Sequence, residues 1–376
     1  MNIAELHTLI IRTRNRHDWL KQTLDQYVSA NYSGLIHIED DSNDNIFIDN
    51  AEFIKSIEKS LKIFHFKGAG SNLKTRTSRM IETSIEMVKK ISTKYYTFSS
   101  DDDFYLETFT KNAIDFLERN SEYSCVIGPE IKLFYDEKRN INYKKRKYWH
   151  GSYFDDPLDR IIDYAISPSL PNYGVCRTDM FNLLVESSKI TNRVCFSNKG
   201  SVDLEYFDEE FPWCLLVFIS GKVKYLPSKI MHFRGIHEGD DRVERLYKRN
   251  DLKGYSLGSI YPLSKPTGWK RIKFMHDDLL NLLKISGSQY DDQILSDSIM
   301  RILWHILSKY NGFGAVNPNT KIWEIREKKL KLSPSRSLIN RLSFSINLRL
   351  KRASTFWAES QSQELRKFLS NNKKII

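Results

Sequence analysis

Phe98-Ser99-Ser100-Asp101-Asp102-Asp103-Phe104 sets three consecutive carboxylates directly after the apolar, aromatic run Tyr95-Tyr96-Thr97-Phe98. Such a run reads as a buried strand, and acids at its carboxyl end lie where an open α/β sheet binds its ligands. Side chains alternate faces along an extended backbone. Asp101 and Asp103 are therefore expected to point the same way and to hold one hard cation between them, which would grip a diphosphate. The plainer alternatives are a solvated acidic turn or a helix start capped by Asp103.

On the N-terminal side, strands and helices alternate. His7 to Ile11 is an apolar run ending in Arg12-Thr13-Arg14-Asn15-Arg16. From Asp18, the expected N-cap, to Val28 the apolar positions Trp19, Leu20, Leu24, Tyr27 and Val28 recur at helical spacing. A second strand is expected at Leu35 to Ile38, running into Glu39-Asp40-Asp41-Ser42-Asn43-Asp44. A helix at about Ala51 to Leu61, a strand at Lys62 to Phe66, the turn Gly68 to Asn72 and a helix at about Lys74 to Ile91 follow. This alternation predicts a mostly parallel sheet with helices on both faces. Both acidic clusters then fall on one carboxyl edge, although the first of them also reads as an Asx turn.

Further along, Tyr143 to His150 interleaves four basic and three aromatic residues, a composition that suits stacking on sugar rings, phosphate, nucleic acid or plain solvation. Val175-Cys176-Arg177 reads as a strand. Phe207-Asp208-Glu209-Glu210-Phe211 precedes the apolar Cys214 to Ile219, then Gly221 and a strand at Lys222 to Leu226; Ile230 to His237 follows. Phe274 to Ile285 and Ile294 to Leu307 have helical apolar spacing and are expected to pack back on the preceding domain.

The 376 residues are 40% hydrophobic, enough for a sizeable core in one large domain or two. The cysteines, Cys125, Cys176, Cys195 and Cys214, form no CxxC and indicate neither zinc nor a disulfide framework, so a reducing cytoplasm is expected. No apolar run approaches the roughly 20 residues of a spanning helix. Residues 321 to 376 hold 14 Lys or Arg against 4 Asp or Glu, so nearly all of the +11 net charge belongs to the tail. A nucleic-acid binder usually carries its basic face on the folded domain, and that reading is disfavoured. It survives as the alternative of a non-catalytic basic binding protein for nucleic acid or an anionic membrane surface. From Ser333, Leu338, Ile339, Leu342, Ile346 and Leu350 form a stripe among Arg336, Arg341, Arg349, Lys351 and Arg352. That stripe reads as a membrane-surface helix, or as one that packs on the catalytic domain or a partner subunit.

Ile10-Ile11-Arg12-Thr13-Arg14-Asn15-Arg16, Ile38-Glu39-Asp40-Asp41-Ser42-Asn43-Asp44 and Ser100-Asp101-Asp102-Asp103, in this order, resemble the nucleotide-sugar-binding half of a family 2-like glycosyltransferase with a GT-A fold. Arg12 stands where that family often has proline, and Glu39-Asp40-Asp41-Ser42 replaces its Asp-Asp-Gly-Ser. The resemblance implies a Rossmann-like catalytic domain over 1–238, with a nucleotide half at 1–105 and an acceptor half at 106–238, followed by a mainly helical basic region at 239–376. It implies that Thr13, Arg14, Asn15 and Arg16 lie under the nucleotide and that Asp40 accepts from the uracil imide N–H. Asp101 to Asp103 would be the Asp-x-Asp element, with Asp101 and Asp102 toward the nucleotide and Asp103, with Asp101, on Mn2+ or Mg2+. Lys74, Arg76 and Arg79 would contact base or phosphates. Glu210 is the first choice of catalytic base, with Glu209 and Asp208 behind it. His232 would complete the metal's coordination, and Arg234 would neutralise the leaving diphosphate. The implied activity is inverting transfer from a nucleotide-diphosphate sugar, UDP first, to a glycan or lipid-linked glycan in surface polysaccharide synthesis. The enzyme would be cytoplasmic or peripheral on the inner membrane face.

Overall fold

Strand β1 (His7–Thr13) is the axis of the main sheet, buried throughout except at Arg12. It runs two residues past the apolar run because its polar end is paired. Arg12 sits opposite Glu39 of β2 (Leu35–Asp40), with Nε 3.2 Å from Oε2, and its guanidinium lies 4.7 Å over the Phe98 ring of β4 (Tyr95–Ser100). The chain is described here by a computed structural model covering residues 2–68, 90–135, 141–145, 151–166, 171–180, 210–237, 276–277, 279–299 and 302.

The main sheet has the order β10-β6-β9-β4-β1-β2-β3. Its other strands are β3 (Lys62–Lys67), β6 (Tyr123–Ile127), β9 (Val175–Arg177) and β10 (Lys222–Tyr225). All neighbouring pairs are parallel except those of β9, which is antiparallel to both β4 and β6. This is the mostly parallel α/β sheet flanked by helices that the alternation predicts. The buried thiols of Cys125 and Cys176 face each other across β6 and β9, with 3.3 Å between the sulfurs.

Helix α1 (Ile3–Leu6) is a single turn, and α2 (His17–Ser29) buries Leu20, Thr23, Leu24 and Tyr27 at helical spacing. Asp18 lies in the first turn of α2 rather than capping it; Arg16 occupies the cap position. Helix α3 (Asp44–Ile57) starts well before Ala51, because Asn43 caps it by accepting from Ile46 N at 3.1 Å. Part of the first acidic cluster is thus a helix start. Helices α4 (Glu107–Arg119), α5 (Pro157–Ile166) and α6 (Glu210–Ser220) complete the layers, and α6 is buried from Cys214 to Ile219.

Three strands leave the main sheet at its carboxyl edge and re-form as a second, four-stranded sheet ordered β5-β11-β7-β8. Strand β4 passes through the turn Asp101-Asp102 into β5 (Asp103–Tyr105), and β6 passes through Gly128-Pro129 into β7 (Glu130–Tyr135). Strand β10 leads on to β11 (His232–His237), and β8 (Ile141–Lys145) pairs antiparallel with β7. Part of the basic aromatic run, Tyr143 to Lys145, is therefore strand, and residues 146–150 lie outside the described residues.

Helical segments at 279–285 and 292–299 place Leu279, Leu282, Leu283, Leu295 and Ile299 in the same core cluster, as expected for helices packing back. The Asp156 carboxylate accepts from Ser288 Oγ at 3.0 Å and Gln289 N at 2.9 Å, tying this region to the start of α5. The expected boundary after residue 238 and the basic stripe from Ser333 lie outside the described residues. Among the described residues, no helix is long and apolar enough to cross a membrane.

Candidate active site at the seam of the two sheets

The seam lies where β4 turns into β5. Asp101 and Asp102 form a turn there, so strict strand alternation stops, and Asp101 and Asp103 have different surroundings. Asp101 faces the β1–α2 loop. Its Oδ2 accepts from Thr13 Oγ1 at 2.8 Å and its Oδ1 from Arg16 Nη1 at 2.5 Å. Its carbonyl accepts from Thr23 Oγ1 at 2.7 Å. Arg16 also donates through Nη2 to Asp102 Oδ2 at 3.1 Å, so one guanidinium bridges two adjacent aspartates. Arg16 is one-third exposed and lies over the Trp19 ring. Burial and the neighbouring Asp102 push the Asp101 carboxyl up to about 6, with Arg16 and Thr13 pulling it down.

Asp103 begins β5 and faces the second sheet. It is buried, and among the described residues its Oδ1 has no hydrogen-bond partner. Burial, reinforced by Asp102, Glu130 and Asp101, drives its carboxyl well above the ordinary range, with Arg234 opposing. In the ladder Arg234 lies opposite Asp103, and His232 opposite Tyr105. The Tyr105 and His232 rings stack at 4.7 Å, and the Tyr105 hydroxyl donates to the Phe98 carbonyl at 3.0 Å.

Strand β7 adds Glu130, which the sequence reading lacks. It is buried, with Oε2 3.8 Å from His232 Nε2 and Oε1 3.6 Å from Arg234 Nη1. These separations exceed hydrogen bonds but suit ion pairs. Burial works against the Arg234 charge, and Asp103 and Glu130 more than offset it, raising the guanidinium above its usual range. One signal pointed to Glu130: it is an acid directly after a strand end, Cys125-Val126-Ile127, and a Gly-Pro turn.

The acidic end of β2 is built differently. Asp40 is fully buried and both its oxygens are engaged, Oδ1 by Ser42 N at 2.9 Å and Oδ2 by Asn50 Nδ2 at 2.7 Å and His65 Nε2 at 3.1 Å. Burial alone would raise this carboxyl, but the hydrogen bonds from His65, Ser42 and Asn50 hold it below its ordinary value. The Asx turn is thus present, and Asp41, part-exposed, follows with Oδ2 4.0 Å from Arg14 Nε. Asn15 knits the two loops together: its N–H donates to Ser42 Oγ at 2.7 Å and its Oδ1 accepts from Asn43 N at 2.9 Å. It does so at φ 52°, a left-handed conformation that asparagine tolerates.

The structure therefore gathers Thr13, Arg16, Asp101, Asp102, Asp103 and His232 around one seam, and places Arg14, Asn15 and Asp40 beside it. Glu210 opens α6, and its side chain, like Asp208, Glu209, Lys74, Arg76 and Arg79, lies outside the described residues.

Among the described residues no three His, Cys, Asp or Glu side chains form a ready-made metal cage; Asp101, Asp103 and His232 do not converge as one. The donor set nonetheless fits a hard cation. Asp101, Asp102, Asp103 and Glu130 are all buried; among the described residues Arg16 pairs with Asp101 and Asp102, and Arg234 with Glu130. The Asp103 Oδ1, which has no hydrogen-bond partner among the described residues, is a hard oxygen ligand.

No protein-family model matches the chain, and no curated protein matches it. Among solved structures it is similar to S. aureus TarS 1-349, with a TM-score of 0.46 and 12% identity over 87% of this chain and 78% of that one. Against a longer S. aureus TarS structure the values are 0.45 and 12% over 88% of this chain, which spans half of that protein. Against the Pyrobaculum calidifontis mannosyltransferase PcManGT, in complex with GDP-Man and Mn2+, they are 0.40 and 10% over 93% and 85%.

Proposed function

We propose that this chain is a metal-dependent, inverting glycosyltransferase that moves a sugar from a nucleotide-diphosphate donor, with UDP the first candidate, to a saccharide or lipid-linked saccharide. The observation that carries the reading is the Oδ1 of Asp103, a buried carboxylate oxygen without a hydrogen-bond partner among the described residues, at the carboxyl edge of a mostly parallel sheet. An ordered water or a bound ion is a usual partner for such an atom. Small hard cations are commonly held by one or two carboxylates plus substrate phosphates, which suits a seam that lacks a full protein cage.

In this reading Thr13 and Arg16 fix Asp101 and Asp102 under the nucleotide, and the exposed part of Arg16 faces the phosphates. Asp41 takes the contact with the base, because the oxygens of Asp40 are committed to Ser42, Asn50 and His65. Mn2+ or Mg2+, held through Asp103 and approached by His232, would neutralise the diphosphate as it leaves. Arg234 adds a fixed positive charge on the same side. Glu210 accepts the proton of the acceptor hydroxyl as the new C–O bond forms and the anomeric carbon parts from the diphosphate oxygen on the opposite face. The basic stripe beyond Ser333 would hold the enzyme at an anionic inner membrane surface where a lipid-linked acceptor lies.

Calorimetric titration of UDP, GDP and CDP, with and without Mn2+, into wild type and Asp103→Ala tests the reading. One nucleotide should bind in a Mn2+-dependent manner, and the variant should lose that binding. A well-folded wild type that binds none of the three would overturn it.

A further inference from the structure

Three strands of the second sheet meet at the seam, bringing together Asp103 of β5, Glu130 of β7, and His232 with Arg234 of β11. Ladder register places Tyr105, His232 and Glu130 on one rung, and Asp103, Arg234 and Lys132 two positions further on. Side chains on a sheet alternate with a period of two, so Asp103, Glu130, His232 and Arg234 share a face. Arg234 thus lies between two buried carboxylates, directly opposite Asp103 and diagonal to Glu130.

We propose that Glu130 is a positioning residue that holds the Arg234 guanidinium off Asp103, so that the carboxylate stays open to a divalent cation. The inference rests on the metal-dependent reading above. A guanidinium beside a carboxylate normally forms two parallel hydrogen bonds with it, filling both oxygens. Here the Asp103 Oδ1 is bare although Arg234 is its ladder partner, and Arg234 Nη1 lies 3.6 Å from Glu130 Oε1. A second anion on the far side of the guanidinium accounts for that geometry. It also answers an electrostatic problem: a cation arriving at Asp103 repels Arg234, and Glu130 offers the displaced positive charge a buried partner. Without Glu130, Arg234 would pair fully with Asp103 and compete with the cation for the same oxygens.

The test is Mn2+ binding in the presence of UDP, followed by the electron paramagnetic resonance signal of free Mn2+, for the full-length wild type, Glu130→Gln, Arg234→Gln and the double variant. Glu130→Gln should weaken Mn2+ binding by about tenfold, the low end of the usual effect of losing an outer partner of a metal ligand. The double variant should bind Mn2+ more tightly than Glu130→Gln alone, because the competing guanidinium is gone. Thermal unfolding of each variant identifies any that fails to fold, and Glu130→Asp, which keeps the charge, should recover much of the binding. Equal Mn2+ affinity in wild type and Glu130→Gln overturns the proposal. A loss that Arg234→Gln does not rescue overturns it too, since Glu130 would then act as a ligand or as a purely structural group. A folded wild type that binds no Mn2+ fails at the earlier step and removes both this proposal and the metal-dependent reading beneath it.

Discussion

Two strands of the same parallel sheet, β2 and β4, end in acidic clusters on the same edge, and their carboxylates have opposite surroundings. At the end of β2, Asp40 is buried with a full complement of donors, and its carboxyl is held below its ordinary range. At the end of β4, Asp103 is just as buried, has a bare oxygen, and is pushed far the other way. Burial is common to both, so burial does not distinguish them; the count of hydrogen-bond donors does. The first arrangement stabilises the fold, whereas the second costs stability in the free protein and leaves an oxygen for something else to meet.

The largest difference between the two acids is expected in catalysis. Asp103→Ala is expected to lower sugar transfer by about 10³-fold, equivalent to about 4 kcal/mol of transition-state stabilisation, without loss of folding stability. Nucleotide release from a donor sugar measures the first and urea denaturation the second. Asp40→Ala should do the reverse at the level of the fold. It strands Ser42 N, Asn50 and His65, and a loss of about 2–3 kcal/mol of unfolding free energy is expected in the same urea experiment.

The pH dependence of stability should separate the two acids by sign. Asp40, with its folded value depressed, adds stability that is present above the unfolded carboxylate value and is lost as pH falls through the folded one. Asp103, with its folded value raised, adds stability that is full below the unfolded value and is lost as pH rises through the folded one. Asp40→Asn should therefore flatten the acid side of the stability curve, and Asp103→Asn the side toward neutrality, each by at most about 1.4 kcal/mol per pH unit. The smallest effect is expected at Arg16. Arg16→Lys keeps the charge but cannot bridge Asp101 and Asp102 as a planar fork, and donor binding should weaken by about tenfold in calorimetry.

The main sheet was largely legible in the sequence, for identifiable reasons. Strands β1, β2, β3 and β4 are short runs with apolar residues at their centres, and their parallel pairing leaves their carboxyl ends on one edge. Periodicity says less about polar pairing. It does not show that Arg12 extends β1 by pairing with Glu39, or that Asn43 starts α3 inside an acidic run. Helix α4 buries Phe109, Ala113, Ile114 and Leu117 at helical spacing, as α2 buries its own apolar positions. The second sheet was the least legible part. Strand β5 has three residues, and the meeting of Asp103, Glu130 and Arg234 depends on register between strands more than a hundred residues apart. For the same reason the difference between Asp40 and Asp103 was invisible: the donors around Asp40 come from positions 42, 50 and 65, in a loop, a helix and a strand.

The most direct test is the shift in melting temperature produced by saturating Mn2+ and UDP, measured side by side for wild type and Asp103→Asn. Free Asp103→Asn should melt at or above the temperature of free wild type, because a costly buried carboxyl has gone, and the ligands should raise the melting temperature of wild type alone. A variant that melts lower when free and still gains the full ligand-induced rise would contradict the account, since Asp103 would then be a structural acid like Asp40.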